Sequence, residues 1–206
     1  MAFIAIIGCQ NGSTTQNEYK NQSVVTETQQ VREYSNEEKA FAGAAFGMSM
    51  NDVKSLEYYN DWRVSGNRLI NESVELGLFT HYKGTVWFSD NKLYYVSFES
   101  TLPWPASTYK TVEDELTNFK EVIEKTYGKP TKDYGIPSIS KVKQHSNTAC
   151  VWDIGNKGIT LCINKSPLDE TYYFYATIVD VSAMNRIKQE GKENIGNKKK
   201  EASSLF

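Results

Sequence analysis

The alternation of apolar and polar residues changes period several times along this chain, and each change marks an element. The strongest helical signal is Val112, Leu116, Phe119 and Ile123, spaced i, i+4, i+7 and i+11 so that they share one face. Thr111 stands where an N-cap belongs, and Glu113, Asp114 and Glu115 follow in the first turn, where the macrodipole favours negative charge. Gly128 and then Pro130 stop the segment. A shorter helix opens at Ser49, with Asp52 three residues on as a capping-box partner, and runs through Val53 and Leu56 to about residue 59.

Elsewhere the period drops to two. Residues 62–70 are expected to be extended, 78–82 and 85–88 alternate, Ser89-Asp90-Asn91-Lys92 turns, and 93–99 returns as a strand rich in Tyr, Val and Phe. Beyond a loop holding Gly135 and Pro137, the strands 149–154 and 159–163 flank a turn at Gly155-Asn156-Lys157-Gly158. A last strand spans 172–181. The expected architecture is α+β, with helices packed on one face of an antiparallel sheet. Val86-Trp87 with Asn91-Lys92 recurs as Val151-Trp152 with Asn156-Lys157, shifted by 65 residues. Together with the element order, this suggests two tandem helix-plus-three-strand units over 46–100 and 108–181.

Outside that body the pattern fades. Residues 10–35 hold eight Asn or Gln and seven Ser or Thr, so they cannot bury enough surface to offset their ordering entropy and are expected to form a flexible tether. The folded domain is expected over 36–182. Residues 183–206 carry six Lys or Arg against three Glu and are expected to be a basic, flexible, partly helical tail.

Composition narrows the function. The chain has 206 residues, 39% hydrophobic, which suits one domain with appendages. No apolar run approaches the ~18 residues of a membrane-spanning helix. A formal charge of -2 gives no electrostatic reason to expect nucleic acid. Residues 1–8 are apolar throughout and end at Cys9. Ile6-Ile7-Gly8-Cys9 resembles the lipobox of bacterial lipoproteins, which implies cleavage before Cys9 and acylation of its sulfur and new amino terminus. Several acyl chains would anchor the protein stably to a membrane. Phe46-Gly47-Met48-Ser49, followed by Val53, resembles the Gly-Met-Ser/Thr-x-x-x-Val opening of small outer-membrane lipoproteins. Their fold is shared with the beta-lactamase-inhibitor protein. That resemblance implies two tandem helix-plus-sheet units and a non-catalytic binding module in the cell envelope, in the outer membrane and facing the periplasm.

Cys150 and Cys162 flank the second turn. A three-residue loop centred on Asn156 would set them face to face, and an oxidising compartment would then join them as a disulfide. A two-residue loop would instead set Cys150 opposite Ile163 and make the bond awkward. No catalytic, metal or cofactor motif emerges, His81 and His145 being isolated in sequence. The candidate binding surface is aromatic. Pro103 and Pro105 stiffen the loop that displays Trp104, and Tyr94, Tyr95, Tyr173 and Tyr175 put aromatics on the sheet. Three readings follow, in this order: binding of an envelope protein, capture of a small glycan or peptide by the same aromatics, and an envelope hydrolase.

Overall fold

The computed structural model describes residues 32–76, 79–100, 105–142, 147–166, 168–169 and 171–203, apart from the side chains of 79–81, 196–197 and 200–203. The first helix, α1 (Met50–Ser55), begins as its cap dictates: Ser49 Oγ accepts from Asp52 N at 3.2 Å and the Asp52 carboxylate accepts from Ser49 N at 3.3 Å. A 3₁₀ turn, Glu57–Tyr59, then carries the chain into the core, where Tyr59 is fully buried and its hydroxyl donates to the Phe41 carbonyl at 2.7 Å.

Eight strands follow: β1 (Arg63–Ser65), β2 (Arg68–Leu76), β3 (Phe79–Ser89), β4 (Lys92–Ser100), β5 (Lys132–Asp133), β6 (Asn147–Ile154), β7 (Lys157–Lys165) and β8 (Tyr172–Asp180). They form one antiparallel sheet in the order β1-β2-β3-β4-β8-β7-β6-β5. The helix α2 (Tyr109–Tyr127) precedes β5, and α3 (Val181–Ser203) follows β8. The fold is α+β. In chain order α1 and α2 each precede four strands, and the last strand of each run, β4 or β8, pairs with the other at the centre of the sheet.

One face of the sheet is buried. Val86, Val96, Ile178, Ile159 and Trp152 follow one another across it in register, with Gly84, Phe98, Ala176, Leu161 and Cys150 as the next row, and the α2 stripe of Val112 and Leu116 belongs to the same core. Gly84 sits on this face because Trp62 lies over it: a Cβ there would stand 2.4 Å from Trp62 Cη2 and 2.7 Å from Val74 Cγ2.

Several expectations shift. Residues 62–70 are not one extended segment but a hairpin, β1 and β2 turning at Gly66, whose φ is +60°. Residues 79–82 and 85–88 lie in a single strand, β3. The helix α2 starts before Thr111, because Tyr109 is buried against Tyr172, with ring centroids 5.0 Å apart, and donates its hydroxyl to the Pro137 carbonyl at 2.6 Å. The tail expected to be partly helical is a helix as far as Ser203, beginning at Val181, with Ala183 N donating to Asp180 and Ser182 N to Asn156 at its start.

The expected disulfide is not formed, and both thiols are free. The turn is two residues long but consists of Gly155-Asn156 and not Asn156-Lys157, with Ile154 opposite Lys157, so Cys150 faces Leu161 instead of Cys162 or Ile163. A bulge between Thr148 and Cys150 then sets Thr148 opposite Cys162. Because side chains alternate along a strand, Cys150 lies on the buried face with Leu161 and Cys162 on the other. The same parity undoes the 65-residue match. Trp152 is buried on the helix side, with Nε1 donating to the Gly128 carbonyl at 2.9 Å, whereas Trp87 lies on the opposite face. The matched residues therefore sit in hairpins that are not equivalent within the sheet.

Candidate interaction surface

The second face of the sheet is built by the other parity of the same strands. Register carries three rows across it: Arg68, Trp87, Tyr95, Val179 and Gly158; Ile70, Thr85, Ser97, Thr177 and Thr160; and Lys83, Glu99, Tyr175, Cys162 and Thr148. Apart from Ile70 the middle row is small and hydroxyl-rich, so the aromatics on either side rise above it.

Those aromatics form one cluster. Trp87 and Tyr95 are cross-strand partners with ring centroids 6.3 Å apart at 87°, an edge-to-face pair. A bulge between β3 and β4 brings Tyr94 beside Tyr95, at 6.2 Å between centroids. The hydroxyls of Tyr95 and Tyr175 meet at 2.5 Å across the strand pair β4–β8. Arg68 stacks its guanidinium over the Trp87 ring, 4.8 Å from the centroid. Trp87, Tyr94, Tyr95, Tyr173 and Tyr175 are all half-buried, as a solvent-facing ring packed against its neighbours should be. The Trp87 Nε1–H is covered yet has no hydrogen-bond partner among the described residues.

Electrostatically the cluster is a set of neutral phenols. Burial holds the Tyr95 hydroxyl far above the usual phenol range, with the Tyr175 contact adding to it, and burial likewise raises Tyr175 and Tyr94. Burial also pushes the Cys150 thiol up to about 11 and raises Cys162, so neither is primed as a nucleophile. Among the described residues no group of three or more His, Cys, Asp or Glu side chains is placed to hold a metal ion. Nor is any described helix long and apolar enough to cross a membrane.

Of the residues singled out from sequence, Tyr94, Tyr95 and Tyr175 come together, and Tyr173 lies on the same face two positions along β8, opposite Asn164. Trp104, Cys9 and His145 lie outside the described residues, and His81 is placed in β3 without its side chain. Trp87 and Arg68 escaped the sequence reading. The signal was there: Trp87 alternates with the apolar Val86 and Phe88 and shares its parity with Thr85 and Ser89, which marks the solvent side of a strand. No family model matches the chain, and searches of curated proteins and of solved structures find no similar protein.

Proposed function

We propose that this chain is a lipid-anchored cell-envelope protein whose folded body binds another envelope protein through the aromatic face of its sheet. The observation that carries the reading is the half-exposed cluster of Trp87, Tyr94, Tyr95 and Tyr175 with Arg68 stacked at its edge. Trp, Tyr and Arg are the residue types that dominate binding hot spots, because each presents a large contact area with little side-chain freedom to lose. Its central row is rich in hydroxyls, and its charged side chains, Arg68, Lys83 and Glu99, lie in the flanking rows rather than as a convergent set of acids or histidines. That composition favours a protein partner over a reacting substrate. The anchor is Cys9, carried on the 10–35 tether.

In this reading the body consists of two tandem units, 46–100 and 108–181, with their helices on one face. The element order supports it, each helix being followed by a short edge strand and three long ones. With β4 and β8 as equivalents, Tyr95 and Tyr175 each lie two residues before the central pair Ser97 and Thr177. The hot spot would then straddle the seam between the units.

Two experiments test the proposal. Radioactive palmitate should label the wild-type protein, expressed with its natural leader, and not Cys9→Ala; an unlabelled wild type removes the anchor. Benzoylphenylalanine placed at Tyr94 should give one discrete photoadduct in intact envelopes, while the same probe at Tyr134, exposed and away from the cluster, should give none. Arg68→Glu should weaken the Tyr94 adduct by about fivefold or more. Equal adducts from both positions, or none from Tyr94, would remove the aromatic face as the docking surface.

A further inference from the structure

On the opposite side of the sheet, between α2 and the strap of residues 39–44, lies a cleft of about 770 Å³. Its floor is Phe98 of β4, Ala176 and Ile178 of β8 and Ile159 of β7. Phe119, Val122 and Tyr127 of α2 form one wall, Phe41 and Tyr58 the other, and Leu76 of β2 closes an end. Since β2 and β7 stand four strand spacings apart, the floor runs roughly 19 Å across the sheet. The helix lines it from residue 118 to residue 127, about 14 Å.

The walls decide what fits. The helix satisfies its own backbone, and the strap bonds to itself: Ala40 N donates to Ala44 O at 2.8 Å, Ala44 N to Phe41 O at 2.9 Å and Phe46 N to Glu38 O at 2.8 Å. The floor is a sheet face, not an edge. A peptide laid here would find backbone partners at most along the strap and the last turn of α2, and would bury its other amides unpaired, at roughly 1–3 kcal/mol each. A hydrocarbon chain has no such need.

The β7 end is positively charged. Lys39 and Tyr127 line it, and Lys157 stands behind Tyr127, its Nζ donating to Tyr127 Oη at 2.6 Å and to the Asn36 carbonyl at 3.4 Å. Lys157 is fully buried, and no carboxylate among the described residues pairs with it. Its register neighbour Asp180 is already engaged by Asn156 and Ala183, and Glu37 lies against Gly155 in the adjacent turn. With a lone pair of its oxygen taken by Lys157, the Tyr127 hydroxyl keeps its own proton for an anion, and the neighbouring ammonium makes it a stronger donor.

We propose that this cleft binds a free single-chain amphiphile with a carboxylate head, of the long-chain fatty acid class. The tail lies over Phe98, Ile178, Phe119 and Leu76, and the carboxylate sits between Lys39 and the Tyr127 hydroxyl. The site shares no residue with the aromatic face and stands independently of it.

The test is titration of the full-length protein with cis-parinaric acid, followed by its fluorescence. Saturable one-to-one binding is expected, displaced by palmitate at least tenfold more effectively than by hexadecanol, which has the same tail without the charge. Val122→Glu puts a charge into the cleft at a position that is 52% exposed, and therefore without threat to folding. It should weaken binding about tenfold or more, as should Lys39→Glu at the head end. Absence of saturation, or wild-type affinity in both variants, overturns the site. Equal displacement by hexadecanol overturns the carboxylate head, and displacement by phosphatidylcholine vesicles as effective as by palmitate overturns the free single-chain ligand.

Discussion

Lys157 is a buried cation held by a tyrosine oxygen, a backbone carbonyl and the face of the Tyr127 ring, 4.2 Å from its centroid. Burial, with repulsion from Lys39, lowers its pKa to about 8 from an ordinary 10.5. Below pH 8 folded and unfolded chains both bind the proton, and the folded state bears the burial penalty in full. Above it the folded protein sheds a proton that the unfolded chain keeps, so this group makes stability rise with pH through the window from about 8 to 10.5. The buried thiols and phenols act oppositely from about pH 9 upward, because their raised pKa values leave the unfolded chain ionised first. The Lys157 effect therefore shows as a difference: from pH 7 to pH 9 the wild type should gain about 1 kcal/mol relative to Lys157→Met, measured from urea midpoints. Parallel pH profiles for the two proteins would refute the burial effect. At Gly84 the constraint is steric. Trp62 is only 2% exposed and cannot move aside, so Gly84→Ala should cost about 1–3 kcal/mol, read from the same midpoints.

At the scale of elements, local chemistry and tertiary contacts divide the boundaries between them. The start of α1 is local: the reciprocal bonds of Ser49 and Asp52 lie within four residues, and Asn91 adds one from the β3–β4 turn, accepting from Met50 N at 3.2 Å. For a helix of only six residues such a cap matters, and Ser49→Ala should lower stability by about 1 kcal/mol in a thermal or urea melt. A loss below a few tenths would show that the strap, not the cap, holds the helix. The start of α2 is tertiary, drawn forward by Tyr109. Turns show both influences. Asp90 and Asn91, at φ 51° and 57°, make the type I′ turn that their residue types suggest. Gly155, at φ 56°, opens a type II′ turn that closes one residue earlier than a three-residue loop centred on Asn156 would, and that step decides which face each cysteine occupies.

For the molecule as a whole, the sheet order places the protection. β4 and β8 are flanked on both sides and covered by the core, while β1 and β5 are edge strands of three and two residues. Amide hydrogen exchange should accordingly be slowest at the paired amides of β4 and β8, opening only with global unfolding, and fastest at β1, β5 and the exposed turns of α3. Equal protection of β5 and β8 would refute a stability centred on that seam. The same order gives the sheet two unlike faces. One is sealed by Leu116 and its neighbours except where the strap and the end of α2 stand apart, and the other is a terrace of tyrosines.

Much of this was legible in the sequence. The α2 stripe, the Ser49 cap, the Asp90-Asn91 turn and five of the strands, β3, β4, β6, β7 and β8, follow from periodicity and turn chemistry, because each depends on residues within a few positions of one another. The tyrosines of the aromatic face were visible as strand formers. Their assembly was not, since Tyr95 and Tyr175 meet only through the pairing of β4 with β8, 80 positions apart in the chain. The short edge strands, the side of the sheet taken by each cysteine, the orientation of Trp87 and the cleft behind Lys157 were equally hidden. Each depends on register and on the packing of distant segments, where moving a strand by one residue exchanges buried side chains for exposed ones. Local pattern therefore chose the elements, and long-range pairing chose what those elements bring together.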